Sequence, residues 1–504
     1  MTKLFQQLRD WFSLDTRSLA VARMGLGLFI FIDILWRMGS IEWHYTDIGA
    51  MPRDIFLSVF SYAWSLSFHH ANGSWGFAAA MLVLHAFAAV AMMIGYRTRL
   101  STALVCVFTI SLHNRNWFVN NGGDDVLRSI MWLAVFLPWG EMWSVDQYRR
   151  GEGARPARLV SGTWVLAWFF QVFAIYFVSY LLKTSPIWRS EYTAVYYSSH
   201  LDVFATPIGR WIRAYPSVMK AMTFGTIVLE WLGPLVLFFG FILPRRFGPW
   251  AKLGVVFAFW GLHLGIISTM FIGIFPFYCL AMWAAFVPAQ SWEKLEASLP
   301  RVPRFFARVY GRIAGPPIEV QAGPAAGKLL RSGHQLAGLF MLLTLVFWNL
   351  STLKPPLKYA STFWINVGRW MHIYQEWNMF APFPKQENLW IEIPAELEDG
   401  STVELITGEA DVLSSKQDKF AGAIRDEHWR KFLMNMSDND KIAKHYAGAW
   451  CRIWNRAEEA GGRRPRLRRF SINVYHTVIG LNYQHSPVQK RNLWNHWCFA
   501  EDLK

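Results

Sequence analysis

The sequence predicts an α-helical polytopic membrane bundle followed by a small α+β domain. Three observations carry that prediction. Apolar residues make up 53% of the 504 residues and charged residues only 17%, against roughly 25% charged in soluble domains. Trp, which favours membrane interfaces, occurs 28 times. Finally, apolar stretches of about 20 residues recur, the length a helix needs to cross a hydrocarbon core of roughly 30 Å.

Nine spans are expected, at 19–38, 75–95, 99–113, 126–143, 161–182, 221–243, 251–272, 273–290 and 333–353. The third and eighth are short or irregular. The seventh and eighth meet at "FIGIFPF" (271–277), a Gly/Pro break. "DIFLSVFSYAWSLSF" (54–68) is aromatic and shorter, and reads as an interfacial or re-entrant segment.

The net charge of +15 is unevenly spread. Residues 1–354 carry 30 Lys/Arg against 17 Asp/Glu, whereas residues 355–504 carry 20 against 18. The excess sits in loops between apolar runs, which is the pattern of cytoplasmic loops and argues against a nucleic-acid partner. Arg149, Arg150, Arg155, Arg158, Arg245 and Arg246 fall on the side of the N-terminus, while the opposite loops are poorer in basic residues. The expected layout is a cytoplasmic segment 1–18, a transmembrane domain 19–353 in the plasma membrane, and a C-terminal domain 354–504 outside the cytoplasm. No removed signal peptide is expected, because no small-residue cleavage site follows an apolar core near the N-terminus.

The tail has its own pattern. "LWIEI" (389–393) and "TVELI" (402–406) flank the turn signal "EDGS", and 428–461 has helical spacing. Alternating residues follow "GGRRPRLRR". "AIRDEHWRKF" (423–432) mixes both charge signs and reads as a solvated helix face. "RRPRLRR" (463–469) reads as a solvated basic loop or a contact for anionic lipid. Cys106 and Cys279 fall in apolar runs; Cys451 and Cys498 can pair if the tail is extracytoplasmic. No cysteine spacing suits a metal, and no metal is expected.

Ionisable residues inside apolar spans are costly and mark candidate sites. The first span carries Arg23, Asp33 and Arg37, read as a structural ion pair facing the bundle. His85, Glu230 and His263 each lie alone in a span; His263 is a candidate proton shuttle. Between 111 and 132, Asn114, Asn116, Asn120, Asn121, Gly122, Gly123, Asp124 and Asp125 crowd one turn. Capping accounts for one Asp or both but not for the four Asn and two Gly, and such a turn can dip into the bundle and hold a polar substrate through its amides. Lys183 closes the uncharged run "TWVLAWFFQVFAIYFV" through "SYLLKTSPIW", with Trp188 five residues on. It reads either as a snorkelling lysine at the interface or as a base in a dry pocket.

The blocks "SLAVARMGLGLFIFIDILWR", "NGGDDVLRSIMWLAVFLPWGEMWSVD" and "YLLKTSPIW" resemble the horizontally transferred transmembrane (HTTM) family over roughly residues 15–290. That family includes the vitamin K-dependent gamma-carboxylases, and "YQEWNMFAPFP" (374–384) is similar to its bacterial members. The resemblance implies a reduced quinone of the vitamin K type as cofactor. It also implies an amine base that deprotonates the quinone, and carboxylation of glutamate side chains. On it, Lys183 and His263 are the catalytic candidates and Trp188 is carried over beside the base; Asn114, Asn120, Asn121, Asp124 and Asp125 are the substrate candidates from the polar turn itself. The animal enzymes carry His after the paired Asn, where this chain has Gly122. Three readings stand: an enzyme acting on a peptide or small acid with a reduced quinone, a non-catalytic binding, immunity or maturation factor of the same fold, and a transporter.

Overall fold

The computed structural model describes residues 2–150, 157–314, 328–353, 362–408, 426–459, 465–481, 484–499 and 501. The bundle is built from helices α1 (Thr16–Met38), α2 (Trp75–Ile94), α3 (Thr98–Arg115), α4 (Gly122–Phe136), α5 (Thr163–Leu182), α6 (Pro216–Phe239), α7 (Gly248–Thr269), α8 (Phe275–Ala284) and α9 (Lys328–Thr352). Local chemistry sets their ends. Asp15 caps α1, Ser74 caps α2, and Pro216 and Pro249 start α6 and α7. Gly27 lets α1 close on α2, since a Cβ there would lie 2.7 Å from that of Met93.

Six helices, α1, α2, α5, α6, α7 and α9, are long and apolar enough to cross a membrane. The other three of the nine expected spans, α3, α4 and α8, fall short of that measure of length and apolarity. With 15 and 10 residues, α4 and α8 reach only about 22 and 15 Å, short of a bilayer core. The last turn of α3 carries His113, Asn114 and Arg115, all buried. Most of α4 and α8 is buried among the longer helices, whereas α3 also exposes Leu100, Leu104 and Val107. The 54–68 segment forms a short turn of helix, a π-helix at Phe56–Phe60 and then irregular chain.

Strands β1 (Ser13–Asp15) and β2 (Leu159–Ser161) pair at the starting end of α1 and α5. The tail holds strands β3 (Glu387–Glu392), β4 (Pro394–Leu397), β5 (Thr402–Glu404), β6 (Leu467–Val478) and β7 (Gln489–Trp497), all antiparallel. One edge of the long β6 pairs with β4 near Leu467–Phe470 and with β3 over Asn473–Val478; β7 covers the other edge. The "EDGS" turn joins β4 to β5, so the expected "LWIEI" strand pairs with β6 rather than across that turn. The 428–461 pattern resolves into two helices, α10 (Glu427–Ser437) and α11 (Asp440–Glu459). A disulfide joins Cys451 to Cys498 and ties α11 to the end of β7.

One tail expectation is corrected, and in a second the basic stretch is exposed as expected but forms a strand rather than a loop. Within 423–432, whose first three residues lie outside the described set, Glu427 and His428 are fully buried and Arg430 is 6% exposed. Mixed charge here serves buried ion pairing instead of solvation. In 463–469, of which 463–464 lie outside the described residues, Arg468 and Arg469 belong to β6 and pair with Glu396 on β4.

Tail and bundle share one apolar core. Trp43 packs edge-on against Trp429 and Trp450, with ring centres 5.3 and 4.6 Å away. Residues 371–380 enter the bundle: Ile373 and Trp377 are fully buried, Trp132 Nε1 donates to the Met371 carbonyl and Gln171 Nε2 to Gln375 Oε1.

Candidate functional site

Two groups of ionisable residues lie at the end of the bundle that meets the tail. The first is organised by Asp124. Asn121 caps α4, accepting from Gly123 N (2.7 Å), while Asp124 Oδ2 accepts from Asn121 N (2.7 Å). This capping box leaves Asp124 Oδ1 for Arg37 Nη2 at 2.7 Å and His113 Nε2 at 3.0 Å. Arg37 also donates from Nε to Asp33 Oδ2 (2.8 Å) and from Nη1 to Tyr45 Oη (3.0 Å). The ion pair expected within the first span is therefore present between Asp33 and Arg37. Arg23 instead donates to the carbonyls of Trp139 and Trp143.

The tail completes this network. His428 Nε2 lies 3.2 Å from Asp33 Oδ1, and Nδ1 lies 3.5 Å from Asp426 Oδ1. These contacts are ion pairs without hydrogen-bond alignment. Burial and Arg37 draw the His428 imidazole down, but its two carboxylate neighbours prevail and hold it at about 9. Glu427 accepts from Ile274 N (3.0 Å) and Asn121 Nδ2 (3.1 Å). Burial pushes its carboxyl up to about 7, with Asp33 and Asp124 adding to the rise and His428 opposing it. Gly273, at φ +79°, provides its seat: a Cβ there would lie 1.1 Å from Glu427 Oε2.

Asp33, Glu427 and His428 bring donor atoms within 4.8 Å of one another, a trio of metal-ligand types. Arg37 and the raised His428 already neutralise Asp33, so ion pairing accounts for the arrangement.

A cavity of about 1210 Å3 opens beside this network, between α4, the 374–385 segment and α10. Asn120, Asn121 and Asp125 line it, as do Arg128, Glu427 and Arg430, so its wall carries both signs of charge. Arg128 binds Asp125 and stands 4.6 Å over the Tyr374 ring.

The second group lies one residue layer behind. Lys183 is 3% exposed. Its Nζ donates to Glu230 Oε1 (2.7 Å) and Oε2 (2.6 Å) and to Ser179 Oγ (2.6 Å), and it stands 5.0 Å over the Trp188 ring. Trp188 Nε1 donates to the carbonyl of Phe380, a residue of the cavity wall. His263 Nε2 lies 2.7 Å from Tyr176 Oη, which accepts from Trp283 Nε1 at 2.9 Å. Tyr176 lies in the last turns of α5, and Lys183 is the residue that ends it.

Residues 12–292 match the HTTM domain family, over half of the chain. The protein belongs to the HTTM family. That family is related to the vitamin K-dependent gamma-carboxylases. No solved structure matches the chain.

Within this HTTM protein the sequence candidates separate. Asn120, Asn121 and Asp125 face the cavity, Asp124 is locked in the network beneath, and Asn114 is buried against the Leu66 carbonyl (2.7 Å) and His372 Nδ1 (3.3 Å). Lys183, Trp188 and His263 do not line the cavity. Gly122 sits against Met379, whose Sδ would lie 2.6 Å from a Cβ there. The space beyond the Asn pair is thus filled from the 371–380 segment, and the histidines near Asp124 come from α3 and α10. Sequence reasoning missed the Lys183–Glu230 pair, although two lone opposite charges in apolar helices were a signal for it. It also missed Glu427 and His428, whose burial has no local signature.

Proposed function

We propose that this protein is a multi-pass membrane enzyme of the gamma-carboxylase-like type. It uses a reduced quinone drawn from the bilayer to modify a peptide or small acid held in the junction cavity. The observation that carries the reading is the buried Lys183 amine, bonded to Glu230 and Ser179 at the position where the family resemblance calls for a base. Passing one proton from Lys183 Nζ to Glu230 leaves a neutral amine with no net change in buried charge. An amine, a carboxylate and an indole face in an apolar setting fit a quinol in their chemistry; when bound, the quinol supplies the reducing power for the oxygen-dependent step. Lys183 then takes up the hydroxyl proton, the Trp188 ring over the amine keeps it dry, and Asn120, Asn121 and Arg128 orient a carboxylate-bearing substrate.

The proposed topology puts the tail and Lys183 on the extracytoplasmic face of a plasma membrane. Loop basicity supports this, and so does the Cys451–Cys498 disulfide, since disulfides persist in oxidising compartments.

The test uses the full chain in membranes with menaquinol and oxygen. Menaquinol should raise the unfolding midpoint and be consumed, and Lys183→Ala should abolish consumption while keeping the fold. Undiminished consumption in Lys183→Ala ends the mechanism. A second reading, a non-catalytic HTTM-fold binding or maturation factor, is favoured by the two-oxygen clasp of Glu230 on Lys183 and by Gly122. No shift with menaquinol at any concentration selects it.

A further inference from the structure

A second cavity lies at the opposite end of the bundle. Helix α1 starts beside it at Asp15 and reaches the polar network only at Asp33 and Arg37; its 23 residues span roughly 34 Å. This cavity of about 330 Å3 has apolar walls from Leu14, Leu159, Phe241 and Leu243. Its buried cation is Lys252, the fifth residue of α7 and 8% exposed. Lys252 Nζ donates to the carbonyl of Trp11, the last residue of the Thr2–Trp11 helix, and stands 4.6 Å over the Trp11 ring and 5.1 Å over that of Phe169. No carboxylate among the described residues offsets its charge. Of the acids on the wall, Asp15 is held by Arg17 at 2.8 Å and Asp10 is exposed.

A buried ammonium without a counter-charge is expensive, and a carbonyl with two ring faces offsets only part of the cost. More positive potential converges on the same space. Arg245 lies exposed on the rim. The first turns of α7 (Gly248 and Pro249, of which only Gly248 has an N–H) and of the Ala289–Ser298 helix (Ala289, Gln290) also line it, and neither N-terminus carries a side-chain cap. Uncapped N-termini present backbone N–H groups and partial positive charge.

We propose that this cavity binds a phosphate group, with Lys252 as the buried contact, Arg245 at the rim and two helix N-termini completing the anion seat. A tetrahedral phosphate has enough oxygens to meet donors from several directions, and the apolar wall suits the start of an acyl chain. The phosphate belongs either to an anionic lipid headgroup or to the free inorganic ion.

Native mass spectrometry of the full chain in detergent tests this with phosphatidylglycerol, phosphatidylcholine of the same chains, and inorganic phosphate. The wild type should retain one phosphatidylglycerol in preference to phosphatidylcholine, or one inorganic phosphate. Lys252→Met and Arg245→Gln should each cut that retention roughly fivefold or more. Phosphatidylglycerol that added phosphate does not displace assigns the lipid as the source; a phosphate adduct that excludes the lipid assigns the free ion. Equal retention in wild type and both variants, equal retention of the two lipids without a phosphate adduct, or no adduct with any probe overturns the proposal. Arg245 is exposed, so its variant remains informative if Lys252→Met fails to fold.

Discussion

Replacing His428 with leucine tests whether the tail is held to the bundle by a protonated imidazole. His428 is fully buried, and Asp33, Asp426, Arg37 and Glu427 surround it. Its folded value is about 9, against 6.5 in the absence of these neighbours. A base raised in this way binds its proton more tightly when folded. Its stabilisation is therefore complete below about pH 6.5 and is lost as pH climbs through about 9. At about 1.4 kcal/mol per tenfold change, the interval amounts to about 3 kcal/mol. With unfolding entropy of about 2.1 cal/mol/K per residue over 504 residues, that is about 3 °C in Tm. Helices that persist in detergent lower the entropy and enlarge the shift.

The measurement is the unfolding midpoint of wild type and His428→Leu in the same detergent from pH 6 to 9.5. The gap between the two should be widest near pH 6.5 and shrink toward pH 9.5. Taking the difference removes titrating groups that do not contact His428. Glu427 acts mainly at lower pH, because a carboxyl raised from 4.5 to about 7 loses its contribution across that interval as pH rises. A gap that stays constant, or widens with pH, would refute a protonated His428 between the two aspartates.

Three further outcomes follow from the same structure. Glu230→Gln strands the Lys183 charge and should cost about 3–5 kcal/mol, whereas Lys183→Met with Glu230→Leu should stay near wild type; a thermal double-mutant cycle with no coupling would deny the pair. Gly273→Ala forces a Cβ onto the Glu427 carboxylate at a left-handed backbone position, so it should cost about 2 kcal/mol or more and hasten proteolysis of the tail; wild-type protection would argue against this seat. Cys451→Ser with Cys498→Ser opens a 47-residue loop and should lower tail stability by about 4 kcal/mol in denaturant. Reducing agent should reproduce that loss in the wild type and leave the double variant unchanged.

The bundle was legible because membrane helices announce themselves by length and apolarity, and each of the six long apolar helices coincides with an expected span. Helices α4 and α8 were visible as apolar runs, but their depth was not, since hydropathy cannot distinguish a lipid-facing helix from a short one buried by its neighbours. The Asn/Asp turn was legible for a similar reason: its polarity is improbable beside apolar runs, and Asn120, Asn121 and Asp125 do face the cavity. Glu427 and His428 were hidden because their burial depends on Asp33 and Gly273, more than 150 residues away. Locally, "RDEHWRK" carries the charge mixture of any surface helix.

The family match ends at residue 292, but the cavity and polar network do not. Met379 fills the space against Gly122, and Tyr374 and Phe380 form wall. Glu427 and His428 add a carboxyl held near 7 and an imidazole held near 9 to a network that otherwise belongs to α1, α3 and α4. Without the tail, Asp33 would lose its imidazole partner and Asn121 the carboxylate it donates to. The HTTM domain alone therefore leaves part of its own polar core unsatisfied, at the end where Lys183 emerges. In this chain the cavity wall is shared between the HTTM domain, through Asn120, Asn121 and Arg128, and tail residues such as Glu427 and Arg430 that the shared domain does not contain.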